Sequence, residues 1–109
     1  MAYNEELATR VRKALGRRKG LKEQKMFGGI AFMLRGHMCC GVQDDDLMLR
    51  LGPDLATKAL KRAHTRPVDF TGRVMKSMIM VAPAGHKTDA ALKTWVVKAA
   101  AFAASLPPK

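Results

Sequence analysis

Apolar residues recur at helical spacing near the start of the chain. Leu7, Val11 and Leu15 follow one another at intervals of four residues, which places them on one side of a helix. Asn4 can accept a hydrogen bond from a free backbone N–H at the helix start, and two glutamates follow it in the first turn. The pattern predicts an amphipathic helix that ends before Gly20.

Two further helices are predicted in the second half of the chain. The segment "GPDLATKALKRA", residues 52–63, places Pro53 where a missing N–H costs nothing and Asp54 in the first turn. The last helix follows a cap formed by Thr88 and Asp89 and closes at the terminal "PPK". Its apolar positions are Leu92, Trp95, Val96, Ala99, Phe102, Ala103 and Leu106.

Between the first two helices the apolar period changes from helical spacing to two. The alternating segments are residues 29–34, 37–42 and 47–51. Arg35 with Gly36 forms a tight turn between the first two, and "QDDD" at 43–46 forms the next. Three short strands with short connections predict an antiparallel meander.

Two more strands are expected after the second helix. Residues 68–70 read as a short strand that ends before Gly72, and residues 74–81 have strand length with blurred alternation. A strand that is covered on both faces has this pattern. The predicted fold class is therefore α+β, in the order α-β-β-β-α-β-β-α, with an antiparallel sheet against which the helices pack. Its 109 residues predict one domain over residues 1–109.

The paired glycines of "MFGGIAF", residues 26–32, have a structural and a functional interpretation. A phosphate-binding loop needs glycines that lead into a helix, often with a lysine and a hydroxyl residue after them. Here the chain continues into period-two alternation. We therefore favour a bend or bulge at Gly28 and Gly29, where a side chain would obstruct a neighbouring element.

This stretch, together with "GHMCCGV" at 36–42 and "RPVDFTGRVMK" at 66–76, resembles the N-terminal domain of the TfoX/Sxy family over roughly residues 8–105. The resemblance implies a curved antiparallel sheet backed by helices. It also implies a relationship to bacterial regulators of natural competence, which act with the transcription machinery. Those regulators carry a second, helical domain. We expect this chain, which ends at Lys109, to lack that domain. The motif positions are Met26, Phe27, Gly28, Gly29, Asp69 and Gly72.

The net charge of +11 is concentrated in one segment. Residues 10–25 hold eight basic residues against Glu23 alone. Such a density attracts polyanions, although a solvated basic face would read the same way. The candidate nucleic-acid contacts are Arg10, Lys13, Arg17, Arg18, Lys19 and Lys22. Because most of the six aromatic residues are needed in the core, we expect contacts to phosphates with poor sequence preference.

Candidate metal and catalytic residues have simpler explanations. His37 and Cys39 are expected on one face of a strand and Cys40 on the other, with Cys40 in the core and Cys39 partly buried. His64 and His86 fall in predicted loops without partners, so no zinc site is expected. Asp69, between Arg66 and Arg73, is interpreted as one half of a structural ion pair. We predict neither an enzyme nor a cofactor.

The composition also bounds where and how the protein acts. No apolar run is long enough to cross a bilayer, the first residues do not resemble a secretory signal, and adjacent cysteines are poor disulfide partners. We expect a cytoplasmic protein, monomeric or homodimeric. The leading hypothesis is a non-enzymatic regulator or adaptor that contacts nucleic acid through its basic first helix. The alternative is a module that binds an acidic protein, or a second copy of itself through an open sheet edge.

Overall fold

Three helices and six strands make up the computed structural model, which describes residues 3–26, 28–70 and 73–107 and, within these, not the side chains of residues 26, 69, 70 and 73–75. The helices are α1 (Glu5–Leu15), α2 (Pro53–Ala59) and α3 (Asp89–Ser105). The strands are β1 (Leu21–Met26), β2 (Gly29–Leu34), β3 (His37–Gln43), β4 (Asp46–Arg50), β5 (Thr65–Phe70) and β6 (Arg73–Val81).

All six strands belong to one antiparallel sheet with the order β1-β2-β3-β4-β6-β5. The predicted α+β class is confirmed, and the structure adds β1 to the predicted order. This strand reads "LKEQKM", and among its described side chains Leu21 is the one apolar residue that packs against the main core. An edge strand of this kind lacks the apolar alternation by which the other strands were recognised.

The ends of α1 and α3 form as their sequences predict. The Asn4 side chain accepts a hydrogen bond from the backbone N–H of Leu7 (3.0 Å), and α1 ends at Leu15, before Gly16. The Thr88 hydroxyl accepts one from the backbone N–H of Ala91 (3.1 Å). Both caps satisfy a donor that the first turn of a helix leaves free.

Helix α2 is shorter than predicted. It ends at Ala59, and the chain continues through turns. In these turns the backbone N–H groups of Lys61 and Arg62 donate to the backbone carbonyls of Lys58 and Ala59, respectively. Leu60 is exposed rather than buried, so the second half of the predicted segment has no core to pack against. Because helix stability in proteins comes mainly from such packing, the helix stops there.

The sheet is buried on both faces at its centre. On the face covered by the helices, Phe32, Leu49 and Ile79 are completely buried. On the other face, four residues form a smaller cluster against which Met38 packs: Met48, Val68, Met78 and Met80. Strand β6 therefore contributes to both clusters, as its blurred alternation predicts. Its register with β5 shifts between Pro67 and Val68, which marks an irregularity at this end of the sheet.

The paired glycines lie where β1 turns into β2. Gly28 has φ of 74°, a conformation that glycine adopts at little cost, and Gly29 pairs with Met26 across the hairpin. A Cβ atom on Gly29 would lie 2.3 Å from the carbonyl oxygen of Val42. The close approach of β3 thus explains the absence of a side chain at Gly29. Phe27 and Gly72 lie outside the described residues.

Candidate nucleic-acid interface

A broad groove lies where the α1–β1 loop, β1 and the β2–β3 turn meet the last turn of α3. Its volume is about 1130 Å³. We call it the basic groove, because four cationic side chains and one carboxylate are among its lining residues. The charged residues are Arg18, Lys19, Lys22, Arg35 and Glu23.

The pairing of β1 with β2 brings the two halves of this groove together. Leu21 pairs with Leu34, so the residues just outside this pair, Gly20 and Arg35, also meet. The backbone N–H of Arg35 donates to the carbonyl oxygen of Gly20 (3.0 Å). Arg35 and Gly36 have φ of 55° and 87°, the conformation of a two-residue turn that follows the twist of a hairpin.

The carboxylate of the basic groove is already paired. Glu23 accepts two hydrogen bonds from Arg12, from Nε at 2.7 Å and from Nη2 at 2.8 Å. These bonds lower the pKa of Glu23, while its partial burial opposes the shift. Because Arg12 neutralises Glu23, the four cations of the groove are not compensated from within it.

The six candidate cations predicted from the sequence do not act as one cluster. Arg18, Lys19 and Lys22 line the basic groove. Lys13 instead lines a smaller groove of about 280 Å³ between α1 and α3, together with Arg10. Arg17 is exposed and lines neither groove.

Arg10 is held within the fold. Its Nε donates to the Asp89 carboxylate (3.1 Å), and its Nη2 donates to the backbone carbonyls of His86 (2.9 Å) and Lys87 (3.3 Å). These bonds join α1 to the segment that leads into α3. Arg10 therefore has a structural role in the described structure, and its predicted contact with nucleic acid stays a prediction.

Sequence reasoning missed Arg35 as a member of the groove. The Arg35–Gly36 turn itself was predicted. The contact between Arg35 and Gly20 was not predicted, because it depends on the pairing of β1 with β2. Recognition of a charged edge strand at Leu21–Met26 would have been enough, since its register places Gly20 opposite Arg35.

Both cysteines are completely buried in the main core. The β2–β3 register pairs Phe32 with Cys40 and Met33 with Met38, which leaves Cys39 as the extra residue of a bulge. The bulge directs both thiols into the same cluster, so the predicted partial burial of Cys39 and its separation from Cys40 were wrong. A hydrogen bond with Cys39, together with burial, raises the pKa of Cys40 well above its usual range.

Two histidines fasten chain segments to the body of the protein. The Nε2 atom of His37 donates to the carbonyl oxygen of Pro107, and that of His86 donates to the carbonyl oxygen of Asp45 (2.9 Å). His86 is therefore held by a backbone carbonyl and not by a group of metal ligands among the described residues. Within the described residues, no three His, Cys, Asp or Glu side chains lie close enough together to hold a metal ion.

Aspartates in and directly after the β3–β4 turn also have structural partners. Arg66 donates to Asp46 at 2.6 Å, and the Asn4 amide donates to Asp45 at 3.0 Å. Arg66 is thus paired with Asp46, while the ion pair predicted for Asp69 stays a prediction. The side chain of Asp69 lies outside the described residues.

The sequence of this chain matches a known protein family. The sequence profile of the TfoX N-terminal domain matches residues 13–103. The chain belongs to this family. The resemblance carried by "MFGGIAF" and the two later stretches is confirmed, and neither curated proteins nor solved structures gave a match.

Family membership leaves the ligand of this TfoX N-terminal domain open. The matched region includes all six strands and therefore most of the basic groove. In the part of the chain that the structure describes, no helix combines the length and the apolar character needed to cross a membrane. The groove must be interpreted from its own charges and shape.

Proposed function

We propose that this TfoX N-terminal domain is a non-enzymatic regulatory domain that binds nucleic acid through its phosphates. The observation that carries the proposal is the convergence of Arg18, Lys19, Lys22 and Arg35 on one groove whose carboxylate is neutralised. Each cation that neutralises a phosphate releases a counterion from the nucleic acid, which provides affinity without sequence readout.

The lining of the groove favours contacts to the sugar–phosphate backbone of a nucleic acid over contacts to its bases. Its described residues include Met33, Leu34 and Gln24 but no aromatic side chain. Stacking of bases on aromatic rings is the usual way in which a protein holds unpaired bases. The domain should therefore bind duplexes of different sequence with similar affinity.

The groove, rather than the exposed face of α1, is the proposed contact surface. Arg10 and Arg12 of α1 are engaged with Asp89 and Glu23, whereas no ion pair with a described carboxylate involves the four groove cations. Lys13 and Arg17 lie outside the groove and contribute to the positive field around it. Such a field speeds encounter with a polyanion more than it strengthens the final complex.

Charge reversal of three groove residues tests the proposal. We expect the variant Arg18→Glu, Lys19→Glu and Lys22→Glu to bind duplex DNA at least about tenfold more weakly at low salt, because it loses three phosphate contacts. Fluorescence anisotropy of a labelled duplex measures the affinity. Far-UV circular dichroism of each variant checks that it is folded.

A matched variant separates local contacts from total charge. Lys61, Lys76 and Lys87 are exposed and do not line the groove, so their replacement by glutamate changes the net charge equally. This control should retain most of the affinity. Equal losses in both variants would show that overall charge, and not the groove, attracts the DNA.

A second candidate function is binding of an acidic protein. Strand β1 is at one end of the sheet and offers its outer backbone groups to a partner. Its Lys22 and Lys25 disfavour an identical strand and favour an acidic one. Capture of partners from lysate with and without nuclease distinguishes the two functions, since an acidic protein survives the treatment.

A cytoplasmic location accompanies both candidate functions. A reducing compartment suits Cys39 and Cys40, which are free thiols in the described structure. Nucleic acid and the transcription machinery are accessible in the same compartment of a bacterium. Localisation of a tagged chain in fractionated cells tests this part of the proposal.

A further inference from the structure

A small cavity lies between α2 and α3, and it shares no lining residue with the basic groove. Its volume is about 90 Å³. A single water molecule needs on the order of 10–15 Å³, so the cavity has room for a group of several heavy atoms. It is lined by Leu55, Lys58, Ala59, Arg62, Trp95 and Lys98.

Trp95 forms a rigid wall of this cavity. Its side chain is buried, and its indole Nε1–H donates to the carbonyl oxygen of Gly85 (3.3 Å). Two cations lie over the ring, with the Arg62 guanidinium 4.8 Å and the Lys98 ammonium 5.5 Å from the ring centroid. The ring stabilises each of them, and together they bring two like charges to one side chain.

The cavity holds more positive charge than its surroundings compensate. Lys58 adds a third cation, and the described residues of the lining include no acidic one. Among the described side chains, none of these three cations lies within ion-pair distance of a carboxylate. Like charges that converge in this way repel one another, and an anion bound between them removes the repulsion.

We propose that this cavity binds a phosphate group as the dianion. The fork of an arginine guanidinium suits two phosphate oxygens, and lysine ammonium groups add point charges around them. Three cations favour a doubly charged ligand over a singly charged one. The site does not depend on nucleic-acid binding by the basic groove.

Trp95 is the single tryptophan of the chain and therefore reports on this site alone. We expect its fluorescence, and the NMR signal of its indole N–H, to change saturably when inorganic phosphate is added at constant ionic strength. The titration is made at about pH 8, where phosphate is mainly the dianion. Sodium chloride at equal ionic strength, and the singly charged diester dimethyl phosphate, should cause much smaller changes.

Variants of the lining connect the signal to the cavity. Lys58→Met and Lys98→Met should each weaken phosphate binding at least about fivefold, because each removes one charge and keeps an apolar stem of similar length. Lys61→Met is the matched control, since Lys61 is exposed and does not line the cavity. It should bind phosphate like the unaltered chain.

Two results would overturn the proposal. One is an equal response to phosphate, dimethyl phosphate and chloride, which would mean general screening of charge. The other is unchanged phosphate binding in the combined Lys58→Met and Lys98→Met variant. The variant Arg18→Glu, Lys19→Glu and Lys22→Glu should keep the Trp95 response, so the cavity and the basic groove are tested separately.

Discussion

The Arg12–Glu23 pair determines the charge of the basic groove at the level of single residues. Both side chains are partly exposed, at 43% and 38%, so solvent screens their interaction. Their energetic contribution to folding is therefore small. Their effect on the groove is larger, because without Arg12 a bare carboxylate would face Arg18, Lys19 and Lys22.

Glu23→Gln should lower the free energy of unfolding by less than about 1 kcal/mol at neutral pH. The folded pKa of Glu23 lies below its unfolded value, so the pair stabilises the protein above the unfolded pKa. This contribution is lost as the pH falls through the folded pKa. Urea unfolding of both proteins over a pH series measures it, and a difference that persists after full protonation in acid would contradict the account.

Roles of single residues were predictable where the partner is near in sequence. The Asn4 and Thr88 caps are examples, since each accepts a hydrogen bond from a residue three positions ahead. Arg10 is the counterexample, because its partner Asp89 lies 79 positions away. Nothing in the local sequence distinguishes a basic residue that is held by the fold from one that is free.

At the level of elements, the β1–β2 hairpin depends on a glycine without room for a side chain. Gly29→Ala would place a Cβ atom against the carbonyl oxygen of Val42, at 2.3 Å, and backbone has little freedom to yield. We expect a loss of about 1–3 kcal/mol in the free energy of unfolding, as for other overpacked sites. Thermal and urea denaturation measure it, and stability equal to that of the unaltered chain would exclude this explanation.

Elements with a strong apolar period were predicted, and those without one were not. Strands β2, β3 and β4 alternate clearly, whereas β1 has, among its described side chains, one apolar residue against the main core and was missed. The bulge at Cys39 was also not predicted. It arises from the register between β2 and β3, and neither strand's sequence contains a pattern that indicates it. Helix α2 ends early because Leu60 finds no core.

For the whole molecule, the sequence allowed the α+β class, the family and the excess of positive charge to be predicted. It did not allow us to predict which basic residues are held by the fold and which lie together in the basic groove. The 20 basic residues include cations that the fold uses, such as Arg10, Arg12 and Arg66, and others that gather in the basic groove. That division depends on the pairing of β1 with β2 and on contacts between distant elements.

The salt dependence of DNA binding tests the central claim most directly. If four groove cations contact phosphates, the logarithm of the binding constant should fall with the logarithm of salt concentration with a slope of about −3 to −4. The variant Arg18→Glu, Lys19→Glu and Lys22→Glu should reduce the steepness by about 2 to 3. Equal slopes for the two proteins would show that phosphates do not bind in the basic groove.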